Sequence, residues 1–176
     1  CEGRVALRLQ LLGQQAQAMT EEQIDLLVQQ YCDASRDCIE GGLDGIEIHM
    51  AHGYLLQQFL SPLSNYRNDL YGGSFENRLR LPQRILRAVR DLLPDNMALG
   101  VRLGTELLPG GTEPEAVARI AAAFEQQGLI DYVNLTLGTD YNPHKMIAAM
   151  HEPMGYELPF AGPIRSAVSL PIIVAG

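Results

Sequence analysis

Asp44-Gly45-Ile46-Glu47-Ile48-His49-Met50-Ala51-His52-Gly53-Tyr54 alternates apolar and polar side chains and then places two imidazoles and a phenol within six residues. A period of two is that of a half-buried strand, so Ile46, Ile48 and Met50 share one face and Glu47 and His49 the other. His49 therefore stands at the carboxyl end of a strand, and Gly53 permits a sharp turn that swings His52 and Tyr54 towards the same space. Neutral imidazole N–H donors beside a phenol suit a substrate oxygen that gains negative charge and a neighbouring carbon that needs a proton. Any one of the three residues alone reads as a strand end satisfying nearby carbonyls; the three together point to chemistry.

Upstream, Thr20-Glu21-Glu22-Gln23 has the form of a capping box and opens a helical pattern of Ile24, Leu27, Val28, Tyr31, Cys38 and Ile39, ended by Gly41-Gly42. Downstream, a polar stretch containing Gly and Pro runs to Ser74, and a second helix carries Ile85, Leu86, Val89, Leu92 and Leu93 with Pro82 in its first turn. A strand over 97–104 precedes a helix over 112–127, where Thr112 and Glu115 form a second capping box and Val117, Ile120, Ala121 and Phe124 an apolar stripe. A strand over 131–138, a short helix over 163–168 and a fully buried strand over 171–175 complete the pattern. Strands alternate with helices and no hairpin signal intervenes, which predicts an α/β fold with parallel strands and right-handed crossovers. Four such units make half of an eight-stranded barrel, and an open doubly wound sheet fits the same length, so strand count does not choose between them.

The 176 residues are 47% hydrophobic and 19% charged, a globular composition sufficient for one core. A formal charge of −8 opposes nucleic-acid binding, which needs clustered Lys and Arg. No segment has the apolar length to cross a bilayer and Cys1-Glu2-Gly3-Arg4 is not a signal-peptide start, so the expectation is a cytoplasmic protein without membrane contact. Cys1, Cys32 and Cys38 are odd in number and lack CxxC spacing, so neither a disulfide nor a metal cluster is expected.

From His49 the chain reads HMAHGYLLQQFLSPLSNYRNDLYGGSFENRLR. This resembles the old yellow enzyme family of NADH:flavin oxidoreductases, whose fourth strand ends in H-x-x-H/N-G-Y followed by FLSP, N-x-R-x-D-x-YGGS and ENR. The similarity continues through Val101-Arg102-Leu103 to Pro171-Ile172-Ile173-Val174-Ala175-Gly176, and its style is closest to the branch of 2,4-dienoyl-CoA reductase and trimethylamine dehydrogenase. The resemblance implies a partial TIM (β/α)8 barrel binding FMN, with about strands four to seven and their helices in residues 20–176. Residues 1–19 would be a connecting segment. His49 and His52 then correspond to the pair that hydrogen-bonds the substrate oxygen, and Tyr54 to the proton donor that complements hydride from flavin N5. Arg102 corresponds to the arginine near flavin N1 and the C2 carbonyl. Gly176 corresponds to the start of the loop approaching the FMN phosphate. Arg102 is in phase with Ala98, Gly100 and Gly104, whose small side chains leave room on its face for a planar partner.

The implied reaction is reduction of an activated alkene, enone or enoyl in type, with NADH or NADPH as reductant. The branch leaves room for a 4Fe-4S cluster and an FAD domain downstream, and a homo-oligomer is compatible with it. Tyr141, with His144, Met146 and Met150, lies in the long connection after the third strand, where barrel loops shape a substrate pocket. Asn134 and Thr136 share one strand face and either line the pocket or satisfy each other. Arg67, Asp69 and Glu76-Asn77-Arg78 read as ties between an active-site loop and the following helix. Two other enzymatic readings remain: oxidative N-demethylation of a small amine by flavin, and a metal-dependent hydrolase or lyase using Glu47, His49 and His52. A non-catalytic binding module is the third.

Overall fold

The computed structural model describes residues 16–147 and 150–174. Helix α1 (Glu21–Glu40) starts at Thr20 with the capping box complete: the Thr20 hydroxyl accepts from the Gln23 N–H and the Gln23 side chain from the Thr20 N–H. Strand β1 (Gly45–Met50) follows, then helices α2 (Leu55–Leu60) and α3 (Phe75–Arg90), strand β2 (Ala98–Thr105), helix α4 (Pro114–Gln126) and strand β3 (Tyr132–Leu137). The one-turn α5 (Pro143–Met146), helix α6 (Leu158–Ala167) and strand β4 (Ile172–Val174) end the described chain. The strands are parallel and neighbour one another in sequence order, β1-β2-β3-β4.

The two faces of this sheet differ. Ile48, Met50, Leu99, Val101, Leu103, Val133 and Leu135 join one apolar core with Ile85, Leu86 and Val89 of α3 and Val117, Ile120 and Phe124 of α4. The other face carries Glu47, His49, Arg102, Asn134 and Thr136. A doubly wound sheet is covered by helices on both faces and needs apolar residues on each. One helix-covered face, one polar face and an unreversed strand order are the wall of a barrel.

Several local expectations need correction. The stretch after β1 contains α2, which buries Leu55, Leu56, Phe59 and Leu60; six residues are too few for a helical period to stand out. Pro82 lies inside α3, not in its first turn, because the helix already begins at Ser74, whose hydroxyl accepts from the Asn77 N–H. The burial of Leu79, Leu81 and Ile85 outweighs the missing proline N–H, a loss of about 3 kcal/mol. Thr112 does not cap α4: Glu113 is the N-cap and Pro114 sets the first turn, while the Thr112 N–H is taken by the Glu106 carboxylate at 2.6 Å. Helix α6 starts at Leu158, so Pro163 is internal there too. Strand β4 is not fully buried, since it lies at the edge of the described sheet with Ile173 49% exposed. Of the stretch expected to be a connecting segment, Ala16 and Met19 are buried, and Arg67 donates to both their carbonyls at 2.7 Å.

The long loop from Ser61 to Ser74 is held as its charged residues suggested. Arg67 pairs with Asp69, Asp69 accepts from the Tyr71 N–H at 2.9 Å, and Arg78 of α3 donates to the Leu60 carbonyl at 2.9 Å. Among the described residues no helix is long and apolar enough to cross a membrane.

Candidate active site

β1 delivers His49 at its carboxyl end, in register with Arg102 of β2 and, across it, Asn134 of β3. The chain then turns through two consecutive left-handed residues, His52 at φ 61° and Gly53 at φ 75°. Such a backbone is costly for a non-glycine residue, by about 1–3 kcal/mol, and persists where surrounding contacts hold it. Here consecutive glutamines grip the Gly53 peptide: Gln57 Oε1 accepts its N–H at 2.6 Å and Gln58 Nε2 donates to its carbonyl at 2.8 Å. Gln57, 1% exposed, also donates to the Gly104 carbonyl at 3.0 Å, which ties the turn to the end of β2. Tyr54 occupies the N-cap of α2, and its side chain makes no capping hydrogen bond.

The turn gathers three rings. The His49 centroid lies 5.0 Å from that of His52 and 5.3 Å from that of Tyr54, and His52 and Tyr54 are 6.3 Å apart, edge to face. Both imidazoles are held well below the ordinary histidine pKa, at about 4. Burial is the main cause for each, followed by His52 and Arg102 for His49 and by Arg102 for His52. At neutral pH both rings are uncharged, each with one N–H to donate.

Thr136 and Asn134 do not satisfy each other. Thr136 Oγ1 lies 3.0 Å from His52 Nε2 and accepts from Arg102 Nη2 at 3.5 Å, while Asn134 Nδ2 donates to both oxygens of Glu47 at 3.2 and 3.1 Å. The room expected beside Arg102 is partly used by the chain itself. A Cβ on Gly100 would sit 2.1 Å from Cζ of Tyr132, and one on Gly104 2.9 Å from the Ala51 Cβ. Arg102 is left with one long hydrogen bond and a buried Nε that has no partner among the described residues; Asn134 Oδ1 is likewise unpartnered. A fixed cation on this polar face fits the electron-rich edge of a flavin, its N1 and C2 carbonyl.

Two buried carboxylates had no sequence signal. Glu106, 5% exposed, accepts from Ser61 Oγ at 2.7 Å and Thr112 N at 2.6 Å, and its carbonyl accepts from Asn142 Nδ2 at 2.8 Å, joining the loops after β1, β2 and β3. Glu157 accepts from the Tyr156 hydroxyl at 3.1 Å; burial raises its carboxyl pKa, and the positive charge of Arg102 opposes that rise. Tyr141 stands apart, 87% exposed on the loop whose Thr139 lies against Gly53. Lys145 pairs with Glu152 in the same connection, and His151 lies 3.9 Å from that carboxylate. Gly176 lies outside the described residues.

Residues 5–176 match the NADH:flavin oxidoreductase / NADH oxidase family. The chain belongs to that family. Over 160 residues it is 36% identical to N,N-dimethylglycine/sarcosine dehydrogenase of Chromohalobacter salexigens, covering 88% of this chain and 23% of that protein. Over 109 residues it is 43% identical to Enoate reductase 1 of Kluyveromyces lactis, covering 58% of this chain and 27% of that protein. Among solved structures, 2-naphthoyl-CoA reductase in complex with 2-naphthoyl-CoA superposes with a TM-score of 0.82 at 35% identity, over 89% of this chain and 24% of that one. The fold is thus part of a TIM barrel of the flavoenzyme kind. The chain spans about a quarter of the length of these relatives.

Proposed function

We propose that the protein carrying this chain is an FMN-dependent oxidoreductase that uses NADH or NADPH to reduce an alkene conjugated to a carbonyl. The observation that carries this reading is the convergence of His49, His52 and Tyr54 within 5.0–6.3 Å of one another, with both imidazoles uncharged, beside an arginine whose Nε is unfilled. His49 and His52 donate to the carbonyl oxygen and stabilise the charge it gains; removing one such donor costs about 100-fold or more. Tyr54 gives the proton to the carbon next to that carbonyl. Arg102 holds the flavin edge, and Gly176 contributes to its phosphate loop. When bound, FMN supplies the hydride. Tyr141, 87% exposed on the loop after β3, is the residue of that loop offered to the substrate.

The test uses the full-length protein. It should purify with FMN or take it up, and oxidise NAD(P)H with 2-cyclohexenone as acceptor. Tyr54→Phe should slow enone reduction about 10²–10⁴-fold, the usual worth of a positioned acid, with FMN content unchanged. No uptake of FMN, or an undiminished Tyr54→Phe rate, would overturn the reading. The 36% identical dimethylglycine/sarcosine dehydrogenase favours a second one, oxidative N-demethylation. Flavin reduction by an N-methylated amino acid, with no turnover of the enone, would select it.

A further inference from the structure

We propose that Thr136 fixes the tautomer of His52, keeping Nε2 as an acceptor and Nδ1–H as the ring's donor. Thr136 is 3% exposed and sits on β3, 84 residues from the histidine it touches. Its hydroxyl has one proton to donate and two lone pairs. Arg102 cannot accept a hydrogen bond, so in its contact with Thr136 the guanidinium donates and the hydroxyl oxygen accepts. The positive charge also turns the hydroxyl proton away from Arg102. In this buried place the acceptor it finds among the described residues is His52 Nε2, 3.0 Å away.

The ring nitrogen that receives this proton must carry its lone pair. A neutral imidazole with an unprotonated Nε2 is protonated at Nδ1, and burial, helped by the same guanidinium, keeps the ring from holding a second proton. Arg102 and Thr136 thus act in series: a fixed cation orients a hydroxyl, and the hydroxyl orients the protonation of the histidine. Besides Arg102, the Asp140 carboxylate also acts on this ring, in the opposite sense, and Nδ1–H is then the donor offered to a ligand oxygen. The role of that donor in catalysis rests on the reading proposed above; the tautomer does not.

Two measurements on the full-length protein test this. In protein labelled with 13C and 15N in the histidine rings, with His52→Asn for assignment, the His52 signals should show a protonated Nδ1 and an unprotonated, hydrogen-bonded Nε2. A protonated Nε2 overturns the proposal, whether or not FMN binds. Thr136→Val removes the hydroxyl at nearly constant volume and should shift His52 towards the other tautomer. In the FMN-loaded protein it should also weaken binding of 4-nitrophenolate about tenfold or more, the scale of one hydrogen bond to a charged oxygen. Thr136→Ser should restore both. An unchanged tautomer and affinity in a Thr136→Val protein that retains FMN refute the role. If Thr136→Val fails to fold, the wild-type and Thr136→Ser ring signals still decide it. Wild-type protein without FMN would fail the functional reading while leaving the ring signals to speak for Thr136.

Discussion

Lowering the pH from 7 to 5 should destabilise the fold through His49 and His52, and the structure sets the size of the effect. In the unfolded chain a histidine titrates at about 6.5. In the folded protein both rings titrate at about 4, because burial and Arg102 disfavour the imidazolium in each, His52 does so further for His49, and Asp140 only partly opposes this at His52. Between those values the unfolded state binds more protons, so stability is complete above about pH 7 and is lost as pH falls through 6.5 towards 4. Between pH 7 and 5, linkage gives about 2 kcal/mol for each ring taken alone. The sum must be smaller, because His49 is only half-buried and the repulsion between the rings is shared. We therefore expect about 2–3 kcal/mol for the pair, within the usual worth of such linkage. The carboxylates with lowered pKa, Asp69 among them, lose their contribution at lower pH and do not overlap this window. The assay is urea denaturation of the full-length protein at pH 7 and pH 5, compared with His49→Gln/His52→Asn. The wild type should lose about 2–3 kcal/mol more than the double variant between the two pH values. Equal losses in both would refute the claim that these rings are buried uncharged.

Two further substitutions probe the supports of the site. Gly100→Ala places a Cβ 2.1 Å from the Tyr132 ring, and overpacking of this kind should destabilise the protein by about 1–3 kcal/mol, read as a lower urea midpoint. A midpoint equal to wild type would mean that the ring has somewhere to go. Gln57→Leu frees the Gly53 N–H and the Gly104 carbonyl and should slow enone reduction by the reduced flavin about tenfold or more, while reoxidation by ferricyanide, which needs no proton from Tyr54, changes little. Equal slowing with both oxidants would reduce Gln57 to a structural part.

What could be read from the chain is what was local in it. His49, His52 and Tyr54 lie within six residues, so a strand period and one glycine sufficed to predict that they meet. Thr20 and Gln23 formed a capping box for the same reason: its partners are three residues apart. The same pattern misled at Thr112 because the competing acceptor, Glu106, comes from another loop, and Pro114 had already fixed the helix start. The local rule for proline likewise places Pro82 in a first turn, whereas the burial of Leu81 and Ile85 around it is decided by the sheet below. Gln57 and Glu106 gave no signal at all, and Thr136 showed only the strand face that it shares with Asn134. Their partners are 45 to 84 residues away for Ser61–Glu106, Gln57–Gly104 and Thr136–His52, and nothing in composition or spacing marks such a pair before the strands are in register.

The register also divides the polar face into two levels with different fates. At the lower one, Glu47, Gly100 and Tyr132 lie side by side, and the missing side chain at Gly100 admits the Tyr132 ring. The Glu47 carboxylate is answered by Asn134 from the level above, so the bottom of the face is filled and largely satisfied from within. At the upper one, His49, Arg102 and Asn134 align, and Arg102 Nε and Asn134 Oδ1 have no partner among the described residues. Buried polar atoms without partners are costly, by about 1–3 kcal/mol each, so of the two levels the upper one is the less satisfied by the described residues. The small residues around Arg102 therefore do two jobs that the sequence could not separate. Gly100 admits a ring of the protein itself, closing the floor, and Gly104 lets Ala51 come close to the end of β2.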